Sequence, residues 1–241
     1  MPAFMKLRDI GLFLHSARTD ARIKRLRAVL GSAAALEAVY EADPDPWAAA
    51  SARYRYQRRK YEVLTSLLPP RRFRRALDLG CGLGLLSRHL ASRADAVVGI
   101  DVAPSAVARA RTLHADQPNL VFEAHDLLAL PSSFDASFDL VVVADVLYYL
   151  SPMDDALLKE VAMRIARLLA PDGICMLANH YFFRLDPDSR QSRRIHDAFI
   201  RSPSFDFQSE HRHSFFLTTL LQGVGVGNDN RTEPMSSSRS S

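Results

Sequence analysis

A chain of 241 residues that is 48% apolar and 24% charged has the length and composition of one globular domain with a short extension, large enough to bury a sizeable core. It has no run near the ~20 apolar residues of a membrane span, Ile10 to Leu14 is too short for a secretory core and leads to no small-residue cleavage site, and its two cysteines, Cys81 and Cys175, exclude a disulfide framework and metal-type spacing. A cytoplasmic, reducing setting with no membrane and no metal is expected, and the net charge of +4 gathers in arginine clusters, Arg18 to Arg27, Arg53 to Arg75 and Arg184 to Arg201, that meet phosphates or form solvated helix faces.

Residues 1 to about 40 read as one or two helices of mixed amphipathicity without a catalytic signature. The loop Glu41-Ala42-Asp43-Pro44-Asp45-Pro46-Trp47 ends them, since each proline holds its predecessor extended. A further helix is expected from Ala48 or Ser51 to Leu68, stopped by Pro69-Pro70. Strand and helix then alternate, with strands over 76–80, 96–101, 119–123, 138–144 and 174–180 and helices over 85–93, 105–114 and 152–170. Leu140-Val141-Val142-Val143 is apolar on both faces, as a central parallel strand must be.

The start of the last helix is marked by Ser151 as the expected cap, Pro152 in the first position, and Asp154 and Asp155 opposing the helix dipole. Leu158, Val161, Ile165 and Leu168/Leu169 give its buried stripe, and Pro171-Asp172-Gly173 turns the chain into the next strand. Phe205 to His211 and Ser214 to Leu221 read as an edge hairpin, and no regular element is assigned between them and residue 180. Beyond Gly223 the Gly-, Asn- and Ser-rich stretch has no apolar period and is expected to be disordered.

The most informative segment is Leu77-Asp78-Leu79-Gly80-Cys81-Gly82-Leu83-Gly84, an apolar strand ending in a glycine-rich turn. A helix follows, then the strand Ala96-Val97-Val98-Gly99-Ile100-Asp101, which closes on a carboxylate. Glycines serve where the backbone takes positive φ or a ligand must come closer than a Cβ allows, and an acid about 20 residues on can accept both ribose hydroxyls. A nicotinamide site needs a small residue at the end of G-x-G-x-x-G/A; counting from Gly80 that place holds Leu85, and from Gly82 it holds Ser87, so hydride chemistry is disfavoured. Asp78 precedes the first glycine and would face an ammonium held over the turn.

With Asp-x-Gly-x-Gly-x-Gly and Asp101 at this distance, Leu77 to Ala178 resembles the class I S-adenosylmethionine-dependent methyltransferases. The resemblance implies an α/β fold, a Rossmann-like doubly wound, mostly parallel seven-stranded sheet with a C-terminal antiparallel hairpin and a helical N-terminal extension. It implies S-adenosylmethionine as cofactor, with contacts from Asp78, Gly80, Cys81, Gly82, Gly84, Val102 and Ala144, and with Asp101 on the ribose diol. In Glu123-Ala124-His125-Asp126-Leu127 it places Asp126 on the adenine amine and the Leu127 backbone N–H on the ring; by itself, Asp126 is equally a surface residue opening a loop.

Ligands in such sheets lie beyond the carboxyl ends of the strands, so Val143-Ala144-Asp145-Val146-Leu147-Tyr148-Tyr149 should floor the reaction centre. The Asn/Asp-Pro-Pro-Tyr/Phe tetrapeptide that nucleobase amino-methylating enzymes share at this place is missing, which argues against a nucleic-acid target. A methyl group leaves a sulfonium by in-line displacement, where positioning contributes up to ~7–11 kcal/mol in favourable models. An amine acceptor must arrive neutral, so a base is needed at the mouth, and Asp145 and His180 are the candidates. Each is equally a loop-capping or cofactor contact, and Tyr148 and Tyr149 either pack in the core or face the sulfonium.

Outside this core, Asp45-Pro46-Trp47, Ser51, Tyr56, Lys60 and Tyr61, together with Ala144-Asp145-Val146-Leu147-Tyr148-Tyr149-Leu150, resemble the nodulation protein S group, which N-methylates the free amine of a deacetylated chitooligosaccharide. Tyr56-Gln57 stands where the group has Tyr-Glu and Asp145 where it tends to carry Glu, and Asn179-His180-Tyr181-Phe182-Phe183, continuing to Ile195-His196-Asp197-Ala198-Phe199, resembles a broader relative of that group. Trp47, Tyr56 and Lys60 either form a lid over cofactor and acceptor or are packing residues and a solvated lysine. The expected division is 1–68 as helical extension and lid, 69–222 as the methyltransferase core, and 223–241 as tail. The expected function is methyl transfer to a small polar acceptor, an amino sugar or other amine. The alternatives are an O-methyltransferase of a hydroxylated metabolite and a basic RNA-binding protein that retains the cofactor fold.

Overall fold

The computed structural model describes residues 10–150 and 153–224. Three helices come first, α1 (Ile10–Leu30), α2 (Ser32–Ala42) and α3 (Tyr56–Leu67). The alternating part follows as β1 (Phe73–Leu79), α4 (Leu85–Ala91), β2 (Ala94–Asp101), α5 (Pro104–Leu113), β3 (Leu120–Ala124), β4 (Phe138–Ala144), α6 (Asp155–Leu168), β5 (Leu169–Tyr181), α7 (Pro187–Ile200), β6 (Phe205–His213) and β7 (Phe215–Gly223). One seven-stranded sheet has the order β3-β2-β1-β4-β5-β7-β6. The first five strands in that order are parallel, and β7 and β6 join antiparallel, so the architecture is the Rossmann-like doubly wound α/β fold with a terminal hairpin.

The sheet is covered on both faces, and each face has its own apolar core. Leu77, Leu79, Val141, Val143 and Cys175 point to the side of α6 and α7, while Ala76, Leu140, Val142, Met176 and Ala178 point to the side of α3 and α4. Alternate residues of a strand face opposite sides, so a run buried on both faces must be apolar throughout, as 140–143 is.

The elements differ from the sequence expectations at four places, each with a local cause. Helix α3 starts at Tyr56 because the Asp45 carboxylate accepts the N–H groups of Ala49 (2.8 Å) and Ala50 (2.9 Å) and Ala48 takes φ 51°, winding the chain into a turn where a helix is expected. Helix α6 is capped by Asp154, whose carboxylate accepts the Leu157 N–H at 2.8 Å, in place of Ser151; Ser151 and Pro152 lie outside the described residues. Pairing of β5 with β4 already begins at Leu169, and its register shifts between Phe138 and Leu140 while Asp172 takes φ 60°. Helix α7 forms where the sequence predicts no regular element.

Its buried face explains why. Ser189, Ser192, Ile195, His196 and Phe199 alternate polar and apolar residues at helical spacing, so no apolar period shows. The polar members are partnered below the surface: His196 lies between Asn179 Oδ1 (3.1 Å from Nε2) and Thr219 Oγ1 (2.6 Å from Nδ1). An amide oxygen only accepts, so Nε2 carries the proton and Nδ1 accepts from the threonine. Burial pushes the His196 pKa down to about 3, which keeps the ring neutral. The stretch 225–241, where disorder is expected, lies outside the described residues. No helix among the described residues is long and apolar enough to cross a membrane.

Candidate active site

Strand order reverses between β1 and β4, so the loops leaving their C-terminal ends part and open a crevice. A cavity of about 700 Å³ occupies that crevice. Every site residue inferred from the sequence lines it except Gly84. Gly84 begins α4 at φ 71°, and a Cβ there would stand 2.3 Å from the Phe122 ring, so its role is to let the helix pack on β3. On the cavity side, a Cβ at Gly82 (φ 52°) would meet the Tyr40 hydroxyl at 2.6 Å.

The glycine turn is held from behind. Gly80 N–H and Cys81 N–H both donate to the Ile100 carbonyl, at 2.8 and 2.9 Å, which ties the turn to the end of β2. Asp101, 8% exposed, then reaches back over it: Oδ2 accepts the Gly82 N–H at 2.9 Å and Oδ1 the Ala103 N–H at 3.0 Å. A carboxylate oxygen has room for a second donor, so both oxygens can still take a diol from the cavity. Burial raises the Asp101 pKa against these amide bonds, and it raises the thiol of Cys81 far above its usual value, so that sulfur is a neutral wall.

Asp78 lies deeper, accepting the Ser87 hydroxyl at 2.6 Å, and no ion pair reaches it among the described residues. Burial pushes its pKa up to about 6 despite that hydrogen bond, with the Asp101 charge adding to the rise. Two buried acids thus flank the turn, and no arginine lines the cavity among the described residues. At the end of β3, Asp126 accepts the Leu128 N–H at 2.9 Å and so caps the short 3₁₀ turn 127–129, which presents Leu127 to the cavity.

The opposite wall comes from the N-terminal helices. Lys60 of α3 is 1% exposed and pairs with Asp145 Oδ2, while Asp145 Oδ1 accepts the His180 N–H at 3.0 Å. Lys60 is therefore no solvated lysine, and Asp145 has both oxygens engaged, one of them in the loop cap that was its alternative reading. The Lys60 ammonium also stands 5.4 Å above the Phe216 ring. Tyr56 donates to the Phe215 carbonyl at 3.3 Å, which seats the same helix on β7. His180 presents its ring edge-on to Tyr148, 4.9 Å between centroids.

Aromatic rings close the remaining side. Trp47 packs on Tyr40 (5.5 Å) and Tyr149 (5.7 Å), and Tyr149 on Tyr148 (4.6 Å). The residue that joins them is Asp20 of α1: its Oδ1 accepts both the Trp47 Nε1–H at 3.1 Å and the Tyr149 hydroxyl at 2.8 Å. Asp20 is an exposed residue that the cavity reaches, and the part of its carboxylate that the surrounding protein desolvates shifts its pKa upward against those two bonds. Thr19 donates to the Pro46 carbonyl and Arg27 to the Tyr149 carbonyl at 3.3 Å, which fastens α1 over the Asp-Pro-Trp loop. Helix α2 is fixed from the far side by Arg109, which donates to the carbonyls of Tyr40 and Asp43.

Asp20 and Tyr40 are absent from the sequence-derived site. The partners of Asp20 are 27 and 129 residues away, and Asp20 sits within the Arg18 to Arg27 cluster, where it reads as a surface charge. The only local signal is a single acid inside a basic helical run. Among the described residues, no group of three or more His, Cys, Asp or Glu is placed to hold a metal ion.

Residues 76–173 match the family described as a methyltransferase domain. The chain is 32% identical over 129 residues to nodulation protein S of Sinorhizobium fredii strain NBRC 101917 / NGR234, covering 54% of this chain and 57% of that protein. It is 33% identical over 109 residues to a ubiquinone biosynthesis O-methyltransferase of Psychrobacter cryohalolentis, covering 44% of this chain and 40% of that one. The chain spans two fifths to three fifths of the length of these curated relatives. Among solved structures, N-methyltransferase NodS from Bradyrhizobium japonicum WM9 in complex with S-adenosyl-L-homocysteine shares the fold, with a TM-score of 0.65 at 22% identity over 80% of this chain and 98% of that one.

Proposed function

We propose that residues 76–173, which match a methyltransferase domain, bind S-adenosylmethionine as class I enzymes do, and that the whole protein, which resembles nodulation protein S, methylates the amine of a small polar acceptor, such as an amino sugar. The observation that carries the reading is one cavity with two chemically distinct ends, acids and bare backbone at one and an aromatic wall around Asp20 at the other.

The first end fits the cofactor. Asp78 is a buried carboxylate with no cation paired to it among the described residues, and an α-ammonium would complete it. Asp101 would hold the ribose diol, Asp126 and Leu127 the adenine, and Gly80, Cys81, Gly82, Val102 and Ala144 supply close, uncharged walls. A lining without arginine among the described residues suits a nucleoside that carries no phosphate. Bound there, S-adenosylmethionine supplies an electrophilic methyl group.

At the second end the protein has to orient an amine and receive its proton. Asp20 is suited to both: Trp47 and Tyr149 hold one oxygen, and Oδ2 makes no hydrogen bond among the described residues. A carboxylate with a raised pKa is a better proton acceptor near neutrality than an ordinary one. His180 stands on the same wall as a second acceptor, and Asp145, engaged by Lys60 and the His180 amide, positions that wall. Trp47, Tyr148 and Tyr149 offer ring faces to a passing cation. In this reading residues 10–68 are the cover and the sheet with its helices is the core.

Calorimetry with S-adenosylhomocysteine tests the first end: binding to the wild-type chain is expected, and its absence, or binding indifferent to Asp101→Ala, ends the proposal. Labelled methyl transfer to matched amine and hydroxyl acceptors over a range of pH tests the second. A hydroxyl-only product would move the reading to O-methylation, the activity named for the Psychrobacter relative.

A further inference from the structure

The cluster Arg184 to Arg201 takes no part in the cavity above. It lines a second one, of about 640 Å³, between α6 and α7. Both flanks are helical stripes. Asp155, Lys159 and Met163 follow one another at four-residue spacing on α6, and Arg190 and Arg194 of α7 are followed at an interval of seven by Arg201, the residue that caps its C-terminal end. At 1.5 Å per residue the longer stripe extends about 16 Å, or three helical turns. Tyr181 and Ala198 add apolar lining, and Met163 and Leu185 are 39% and 79% exposed.

Part of the basic charge is spoken for. Arg193 is held by Asp197 and Glu210, Arg194 by Asp155, and Arg201 lies 3.6 Å from Asp197. Arg184, Arg190 and Lys159 form no ion pair among the described residues. The groove thus offers unpaired cations next to exposed apolar side chains, in a channel shaped by two neighbouring helices. A nucleic-acid backbone is a poor match, because it would use the cations and leave the exposed Met163 and Leu185 without a partner. A flat lipid surface is a poor match to a concave channel. A helix with acidic residues on one edge and apolar ones on the next satisfies both features.

We propose that the α6–α7 groove docks an acidic amphipathic helix of a partner protein, with Arg184, Arg190 and Lys159 as its charge contacts and Met163 and Leu185 as its apolar ones. The site is separate from the methyl-transfer cavity, and the inference stands independently of that reading. Its position is still suggestive. The end of β5 divides the two cavities, since His180 and Phe182 line the first and Tyr181 the second.

The test uses the full chain and a fluorescein-labelled synthetic helix of about 20 residues with Glu along one edge and Leu along the next. Binding measured by anisotropy at low salt is expected, weakening as salt rises and falling at least about tenfold in the double variant Arg184→Glu/Arg190→Glu. Neither arginine has an ion pair to lose among the described residues, and an unchanged circular dichroism spectrum and thermal midpoint would show an intact fold. Leu185→Asp should weaken binding by a separate route. No binding at low salt overturns the proposal, as does binding indifferent to both variants. Tighter capture, through the same arginines, of a single-stranded RNA or of phosphatidylglycerol vesicles would also overturn it.

Discussion

The two ends of the main cavity are built over different distances along the chain, and this decides how each can be read and broken. At the glycine turn the decisive contacts are short-range: Ser87 to Asp78 spans nine residues and Gly82 to Asp101 nineteen. At the aromatic end they are long-range: Trp47 to Asp20 spans 27 residues, Lys60 to Asp145 85, Tyr149 to Asp20 129 and Tyr56 to Phe215 159. One end is a property of a single strand-turn-helix-strand unit. The other exists only when the N-terminal helices have closed on the finished sheet.

The sharpest way to break the comparison is Lys60→Met, which leaves Asp145 with its charge uncompensated. Loss of about 3–5 kcal/mol is expected in urea unfolding. Adding Asp145→Asn should recover part of it, and a single variant as stable as wild type would remove the ion pair from the argument. Next comes Asp20→Asn, whose amide oxygen can still accept from Trp47 and Tyr149. Turnover of an amine acceptor should fall about 10²-fold with cofactor affinity held. An equal loss of cofactor affinity would mean that the two ends are not separable. Asp101→Ala should do the reverse, weakening S-adenosylhomocysteine by about 2 kcal/mol, or about 30-fold in titration calorimetry.

The smallest effect, for a single step of one pH unit, is a pH dependence. Asp78 is raised from 3.8 to about 6, so the ligand-free fold holds a proton there that the unfolded chain has lost. Its contribution to stability is full at acid pH and fades as pH climbs through about 6. An ammonium ligand favours the ionised form, so its affinity should fall about tenfold per pH unit below 6 and level off above. Asp78→Asn should flatten that profile; a wild-type profile already flat would put the ammonium elsewhere.

The same contrast governs what was legible beforehand. The parallel core, the glycine turn and Asp101 were readable because the strand period, the turn residues and the spacing of the acid are local properties. Helix α7 was hidden because it buries serines and a neutral histidine, and hydrophobic periodicity cannot see a polar face that is satisfied from the sheet. Trp47 and Lys60 stood out as residue types, but their partners Asp20 and Asp145 come from elements far away in the chain. Asp145 looked like a base because it ends a strand at the crevice; the Lys60 ammonium and the His180 amide on its two oxygens are facts of tertiary structure.

Consecutive side chains at the end of β5 serve different rooms, His180 the first cavity and Tyr181 the second. An occupant that tilts this strand on one side reshapes the other side with it. Binding in either room would then register as altered affinity in its neighbour, and reciprocity would make the two influences equal.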